Sequence, residues 1–168
     1  MNLKRVVLCQ DGDDLVVGSS TGRLLRLEVN EENLPVMGRN AQGPVLLRLL
    51  PGEEVIGAAA VSDGVELVLG SQKGTLVMIN PTLALRKCER GSLGQICIRF
   101  QNKSDTVIDF CVTRRNQLLS VVCRGSNNQR INTSSLEATS DHSPAGKENV
   151  LHATDEIQEI FTTHMTNT

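Results

Sequence analysis

The stretch Gly18–Gly43, GSSTGRLLRLEVNEENLPVMGRNAQG, recurs with losses at Gly70–Gly94, GSQKGTLVMINPTLALRKCERGSLG. Gly18-Ser19-Ser20-Thr21-Gly22 aligns with Gly70-Ser71-Gln72-Lys73-Gly74, Arg39 with Arg90, and Gly43 with Gly94. The spacing is 52 residues at the front of the match and 51 at the back, so one deletion separates two copies of one unit.

Working outward, the unit reads as short strands. Leu15-Val16-Val17 runs into the tight turn Gly18–Gly22, and Arg23–Val29 follows with alternating faces. Leu25, Leu27 and Val29 share one face; Leu24, Arg26 and Glu28 share the other. Proline bars Leu34-Pro35-Val36-Met37 from a central ladder. Val45–Leu50 and Val55–Val61 are the next two strands, around the turn Pro51-Gly52-Glu53-Glu54. The series then restarts. Val65–Leu69, Leu76–Ile79, Ile96–Phe100 and Val107–Val112 follow the first unit in order, and Leu118–Cys123 opens a third. A repeat of roughly 40–50 residues built from short strands is the spacing of propeller-like blades.

Composition agrees with a β-rich chain. There is no Trp, no Tyr and only three Phe (Phe100, Phe110, Phe161) in 168 residues, so the core must be aliphatic. Residues 1–125 carry 15 Lys/Arg and 13 Asp/Glu, whereas residues 126–168 carry two Lys/Arg and six Asp/Glu. From Ser126 onward Ser, Thr, Asn and Gln dominate. Such a segment buries too little apolar surface to offset its ordering entropy, so residues 126–168 are expected to be a disordered acidic tail. Within it, Asp155–Phe161 spaces Ile157, Ile160 and Phe161 on one helical face, the pattern of a nascent helix or a peptide docking motif in an otherwise unstructured tail.

Cys9, Cys88, Cys97, Cys111 and Cys123 form no CxxC pair, and most sit in apolar runs. They read as reduced, mostly buried thiols, which places the chain in a reducing cytoplasm. No apolar run approaches the roughly 20 residues of a membrane span, so no membrane partner is expected. The three His all lie in the tail, and Asp11, Asp13 and Asp14 around Gly12 read as a hairpin turn. No catalytic constellation, metal site or cofactor is expected.

Arg23-Leu24-Leu25-Arg26-Leu27, Gly38-Arg39-Asn40-Ala41-Gln42-Gly43 and Leu49-Leu50-Pro51-Gly52-Glu53-Glu54-Val55-Ile56 together resemble a known repeat. It is that of the C-terminal domain in the A subunit of DNA gyrase and in its topoisomerase IV relative. The resemblance implies an all-β partial β-pinwheel, a propeller variant whose four-stranded blades exchange strands. It spans residues 1–125, with unit 1 at about 3–61, unit 2 at about 62–113 and a partial unit 3 at about 114–125, roughly two and a half blades. It implies that double-stranded DNA bends around the outer rim without base reading, in the bacterial cytoplasm at the nucleoid.

The family's type II topoisomerase chemistry uses a tyrosine on a separate domain and ATP. This chain has no tyrosine and no P-loop, so the resemblance implies an accessory DNA-wrapping part, not an enzyme on its own. The family's glycine-rich basic box is absent as well. Other blades or the remaining topoisomerase A and B subunits are the implied partners.

The candidate phosphate contacts are Arg23, Arg26, Arg39 and Arg48 in the first unit, and Lys73, Arg86, Lys87, Arg90 and Arg99 in the second. Arg23 has the parity of the inward Leu25, so its direction depends on where the turn ends. Thr75 and Met78 stand where the first unit has Arg23 and Arg26. The alternative left open is a protein-interaction module that kept the blades and lost DNA wrapping.

Overall fold

The computed structural model describes residues 3–114, 116–126, 128–140, 142, 144, 150–152 and 155–163, with the backbone alone at 126, 150–152 and 163. The strands are β1 (Asp14–Ser19), β2 (Arg23–Glu28), β3 (Val55–Val61), β4 (Glu66–Ser71), β5 (Thr75–Ile79), β6 (Gln95–Ile96), β7 (Val107–Thr113), β8 (Leu118–Cys123), β9 (Gln129–Asn132), β10 (Ala138–Thr139), β11 (Val150–His152) and β12 (Ile157–Thr163). A four-residue helix, α1 (Pro81–Ala84), starts where Asn80 caps the Leu83 N–H and Pro81 needs no partner for its nitrogen.

Among the described residues three sheets form, in the orders β3-β1-β2-β6, β10-β5-β4-β7 with β11 also on β5, and β12-β8-β9. Each later unit gives its third strand to the sheet before it. β6 pairs with β2, and β10 lies parallel to β5. Strand exchange of this kind ties the sheets in sequence order.

The repeat is carried by register. A β-bulge separates Gly18 from Ser19, Gly70 from Ser71, and Ile157 from Glu159 opposite Val122 and Cys123. The same backbone bond recurs as Ser20 N–H to Glu54 O (2.8 Å), Gln72 N–H to Thr106 O (2.8 Å) and Arg124 N–H to Glu156 O (2.9 Å). Three units of one design are therefore present.

Because the first sheet is covered on one face by the second sheet and on the other by loop residues, its central strands are largely buried. Val16 and Leu24 face a core shared with Leu67, Leu69, Val77 and Phe110. Leu15, Val17, Leu25, Leu27 and Val29 face the opposite core, with Leu47. The second joint is filled by Val68, Leu76 and Met78 against Leu119, Val121, Ile157 and Ile160. The alternation read from Arg23–Val29 is the alternation between two cores.

Four expectations are corrected. Val45–Leu50 is no strand: its one β contact is an isolated bridge, Leu47 to Ser92. In the second unit, Ile96–Phe100 shortens to β6. Among the described residues after Ser126, expected to be disordered, β9, β10, β11 and β12 form; residues 127, 141, 143, 145–149, 153–154 and 164–168 of that stretch lie outside the described residues. The third sheet thus extends beyond Cys123 to Thr163.

Ile157–Phe161 is strand rather than helix, because β8 offers it a ladder. The bulge at 157/159 turns both Ile157 and Ile160 into the core, which imitates helical spacing in the sequence. One histidine of the expected tail docks on the second unit: the His142 Nδ1 lies 2.8 Å from the Ala84 carbonyl.

Candidate nucleic-acid interface

Two of the nine candidate cations are withdrawn into the fold. Arg23 is 6% exposed. Its Nε donates to Glu53 Oε1 at 2.9 Å, Nη1 to the Leu93 carbonyl at 2.7 Å and Nη2 to the Arg48 carbonyl at 3.1 Å. A second ion-pair contact joins Nη2 to Glu53 Oε2. Glu53 also accepts from the Leu50 N–H at 2.7 Å and from the Thr21 hydroxyl. The Arg23 guanidinium holds the Glu53 carboxyl down to about 2, helped by the Leu50 and Thr21 donors and opposed by desolvation. Arg23 is a buried clasp of the turn, with every face of its fork occupied.

Arg26 is likewise internal. Its Nε donates to Asp14 Oδ2 at 2.8 Å, and its Nη1 to the Thr82 and Leu85 carbonyls at 2.9 and 3.0 Å. It ties β2 to β1 and to α1. Both arginines are thereby removed from the expected rim.

The second unit shows what the clasp is for. Asp105 stands 52 residues after Glu53, is buried, and accepts from Ser71 Oγ at 2.7 Å and the Lys73 N–H at 3.0 Å. With Thr75 in place of Arg23, a shorter acid suffices. Asp155 occupies the third position beside Cys123 and accepts from the Glu156 N–H at 2.7 Å. The repeated acid was missed by reasoning on cations, although Glu53, Asp105 and Asp155 recur at nearly the unit spacing.

The other seven candidates are exposed: Arg39, Arg48, Lys73, Arg86, Lys87, Arg90 and Arg99. The loop 86–94 brings four of them to one edge of the first sheet. It is fastened by Cys88 N–H to Arg26 O (2.8 Å), Gly91 N–H to Leu46 O (2.6 Å) and Arg48 N–H to Ser92 O (2.9 Å). Arg90 is anchored through its N–H to Asn33 Oδ1 at 3.1 Å, and Arg86 through its N–H to Gln95 Oε1 at 2.9 Å. Arg48, Arg86 and Arg90 have no acidic side-chain partner among the described residues. Lys87 is half exposed and shared between Asp14 Oδ1 (3.1 Å) and Glu28 Oε2 (3.6 Å).

Arg39 stands on its own turn, closed by Ala41 N–H to Gly38 O at 3.0 Å. Lys73 lies on the β4–β5 turn and Arg99 follows β6. No hydrogen bond or ion pair among the described residues joins these three to the loop edge. The arrangement offers point charges and guanidinium forks on exposed loops, suited to phosphate oxygens at a surface rather than to an enclosed ligand. Among the described residues no group of three or more His, Cys, Asp or Glu could hold a metal ion, and no helix is long and apolar enough to cross a membrane.

Residues 13–62 match the family described as DNA gyrase C-terminal domain, beta-propeller. The chain is 30% identical over 97 residues to the A subunit of DNA topoisomerase 4 from Synechocystis sp. (strain ATCC 27184 / PCC 6803 / Kazusa), which is 58% of this chain and 10% of that protein. It is 44% identical over 52 residues to the A subunit of DNA gyrase from Aminobacterium colombiense (strain DSM 12261 / ALA-1), 31% of this chain and 6% of that protein. The solved C-terminal domain of DNA topoisomerase IV superposes with a TM-score of 0.74 at 16% identity, over 89% of this chain and 46% of that one. The chain spans a tenth or less of the length of these curated relatives. Over residues 13–62 its sequence resembles the repeat of the DNA gyrase C-terminal domain, and its fold is the all-β fold of the solved gyrase and topoisomerase IV C-terminal domains.

Proposed function

We propose that this chain, built on the C-terminal repeat of those A subunits, binds and bends double-stranded DNA without reading its sequence, as an accessory module to strand-passing chemistry carried elsewhere. The observation that supports it best is the edge bearing Arg48, Arg86 and Arg90, three guanidinium groups on one fastened loop system with no acid to neutralise them among the described residues. Lys87, Arg39, Lys73 and Arg99 extend the exposed positive set. Cations presented on loops neutralise phosphates, release counterions and reward a bent duplex without contacting base edges. With no tyrosine among these 168 residues, a covalent DNA intermediate on tyrosine would have to form outside them. Topoisomerase A and B subunits are the partners this reading implies, in a bacterial cytoplasm at the nucleoid.

Titrating a labelled duplex by anisotropy across salt concentrations tests the reading. Four neutralised phosphates give a slope of about −3.6 in log K against log salt. No binding at low salt, with the β signal intact, would instead favour the protein-interaction reading. That second reading has its own observation, a set of exposed apolar side chains at one end of the sheet stack.

A further inference from the structure

At each internal joint of the stack, a later unit does three things to the sheet before it. It seats a large side chain on a glycine: a Cβ at Gly18 would lie 2.8 Å from Phe110 Cε1, and one at Gly70 would lie 3.3 Å from Ile160 Cγ2. It makes a backbone bond: Val107 N–H to Ser20 O (2.8 Å) and Ile157 N–H to Gln72 O (3.0 Å). It adds an outer strand: Lys87 and β6 along β2, and β10 along β5.

The two ends of the stack carry the halves of such a joint. The register puts Ala58 where the later units have Phe110 and Ile160. It puts Val122 where the earlier ones have Gly18 and Gly70. Large on glycine inside the chain becomes small on large at its ends, so Ala58 and Val122 fit each other as the internal pairs do. Val55 and Arg124 fall at the places of the inter-sheet bond. The strand-giving segment is laid out too: Val36 and Val45 are 89% and 66% exposed. Val36 stands 51 residues before Lys87, and Arg130 on β9 stands where Arg26 does on β2. A Cβ at Gly94 would press to 2.5 Å from the Leu24 carbonyl oxygen, whereas Gly43, its counterpart, has nothing within 4 Å. A groove of about 380 Å³ between Arg5, Val45, Leu47, Val55 and Ala58 opens on the same end.

We propose that two copies of this chain join head to tail at both ends, closing a ring of six sheets. The segment 34–50 of each copy covers the outer edge of the other's β9, and Ala58 seats on Val122. A second copy fits because both halves of the joint are on one chain with matched sizes. An interface between unlike surfaces closes when its rotation divides a full turn, and apolar side chains exposed together mark such a contact. The proposal does not depend on DNA binding.

Sedimentation of the whole chain should give a particle of twice 18.2 kDa, and Val36→Asp with Val45→Asp should reduce it to one copy with the β signal unchanged. Direction is read by crosslinking in a background with Cys9→Ser and Cys88→Ser. Chains bearing Val36→Cys alone and Arg130→Cys alone should form a disulfide-linked pair only when mixed. A single-copy particle at high concentration overturns the proposal. So does a dimer indifferent to the Val36 and Val45 changes, a Val36→Cys chain that links to itself, or an open series of longer oligomers. Association only with an added topoisomerase A subunit would overturn it too, and would give the end to that occupant instead.

Discussion

Arg23 and Glu53, thirty residues apart, form a buried ion pair that closes the β1–β2 turn onto the turn before β3, their side chains 7% and 2% exposed. The sequence places Arg23 at the edge of a glycine turn, where a rim cation is expected. The structure instead uses its fork to bridge the Leu93 and Arg48 carbonyls as well. Burial without a partner would strand the carboxylate, so the pair stands or falls together.

The pH dependence follows from the sign of the shift. Glu53 has its carboxyl lowered from 4.5 to about 2. It therefore contributes stability above its unfolded value, and that contribution is lost as pH falls from about 4.5 through about 2. The shift corresponds to about 3 kcal/mol. Glu53→Gln should lower the urea-unfolding free energy by about that amount at pH 7, and the gap to the parent should shrink steadily on acidification below the unfolded value.

Close packing at the first joint gives a graded pair of substitutions. Gly18→Ala pushes a Cβ against both Phe110 and Leu24, each at 2.8 Å, whereas Gly70→Ala meets Ile160 at 3.3 Å. Overpacking of this kind costs about 1–3 kcal/mol. Gly18→Ala should fall in that range and Gly70→Ala below it, compared by denaturant midpoints at constant slope.

Thiol reactivity should divide by burial. Desolvation pushes Cys97 and Cys111 up to about 12 and raises Cys123, while Cys9 is exposed. At mildly alkaline pH Cys9 should react with a disulfide reagent within mixing time. Cys97, Cys111 and Cys123 should react at the rate of opening, which urea accelerates.

Charge reversal on the rim should separate contact from architecture. Arg48→Glu with Arg90→Glu should weaken duplex binding uniformly across sequences and reduce the salt slope by about 2. Arg26→Met, the residue found at the matching place in the second unit, should destabilise the fold and leave the salt slope unchanged. A slope unmoved by the double change would remove the loop edge from the interface.

The repeat and its strand alternation were legible because glycines and valines recur with few insertions. What escaped was whatever a single unit cannot determine. Val45–Leu50 has strand composition and forms none, because the edge it would join lies on no earlier sheet of the described chain. Ile157–Phe161 looks helical because a bulge restores an i, i+3 spacing within a strand. The polar run after Ser126 conceals β9 and β12, whose ladder partner is β8, with Ile157 and Ile160 as the apolar anchors of β12. Of the nine candidate cations, seven are exposed as expected, and Arg23 and Arg26 are not. For Arg23 the parity with Leu25 already pointed inward; for Arg26 the decisive fact was Asp14, twelve residues away on the paired strand.

Exchange of β6 and β10 into the preceding sheets has a consequence for how the molecule comes apart. A repeat array whose modules are self-contained can fray from either end, losing one module at a time. Here the second unit cannot melt without stripping a strand from the first, nor the third without stripping one from the second. A nick in the loop between Ile79 and Gln95 would therefore leave both fragments interlocked, and heating should dissolve all three sheets in one transition.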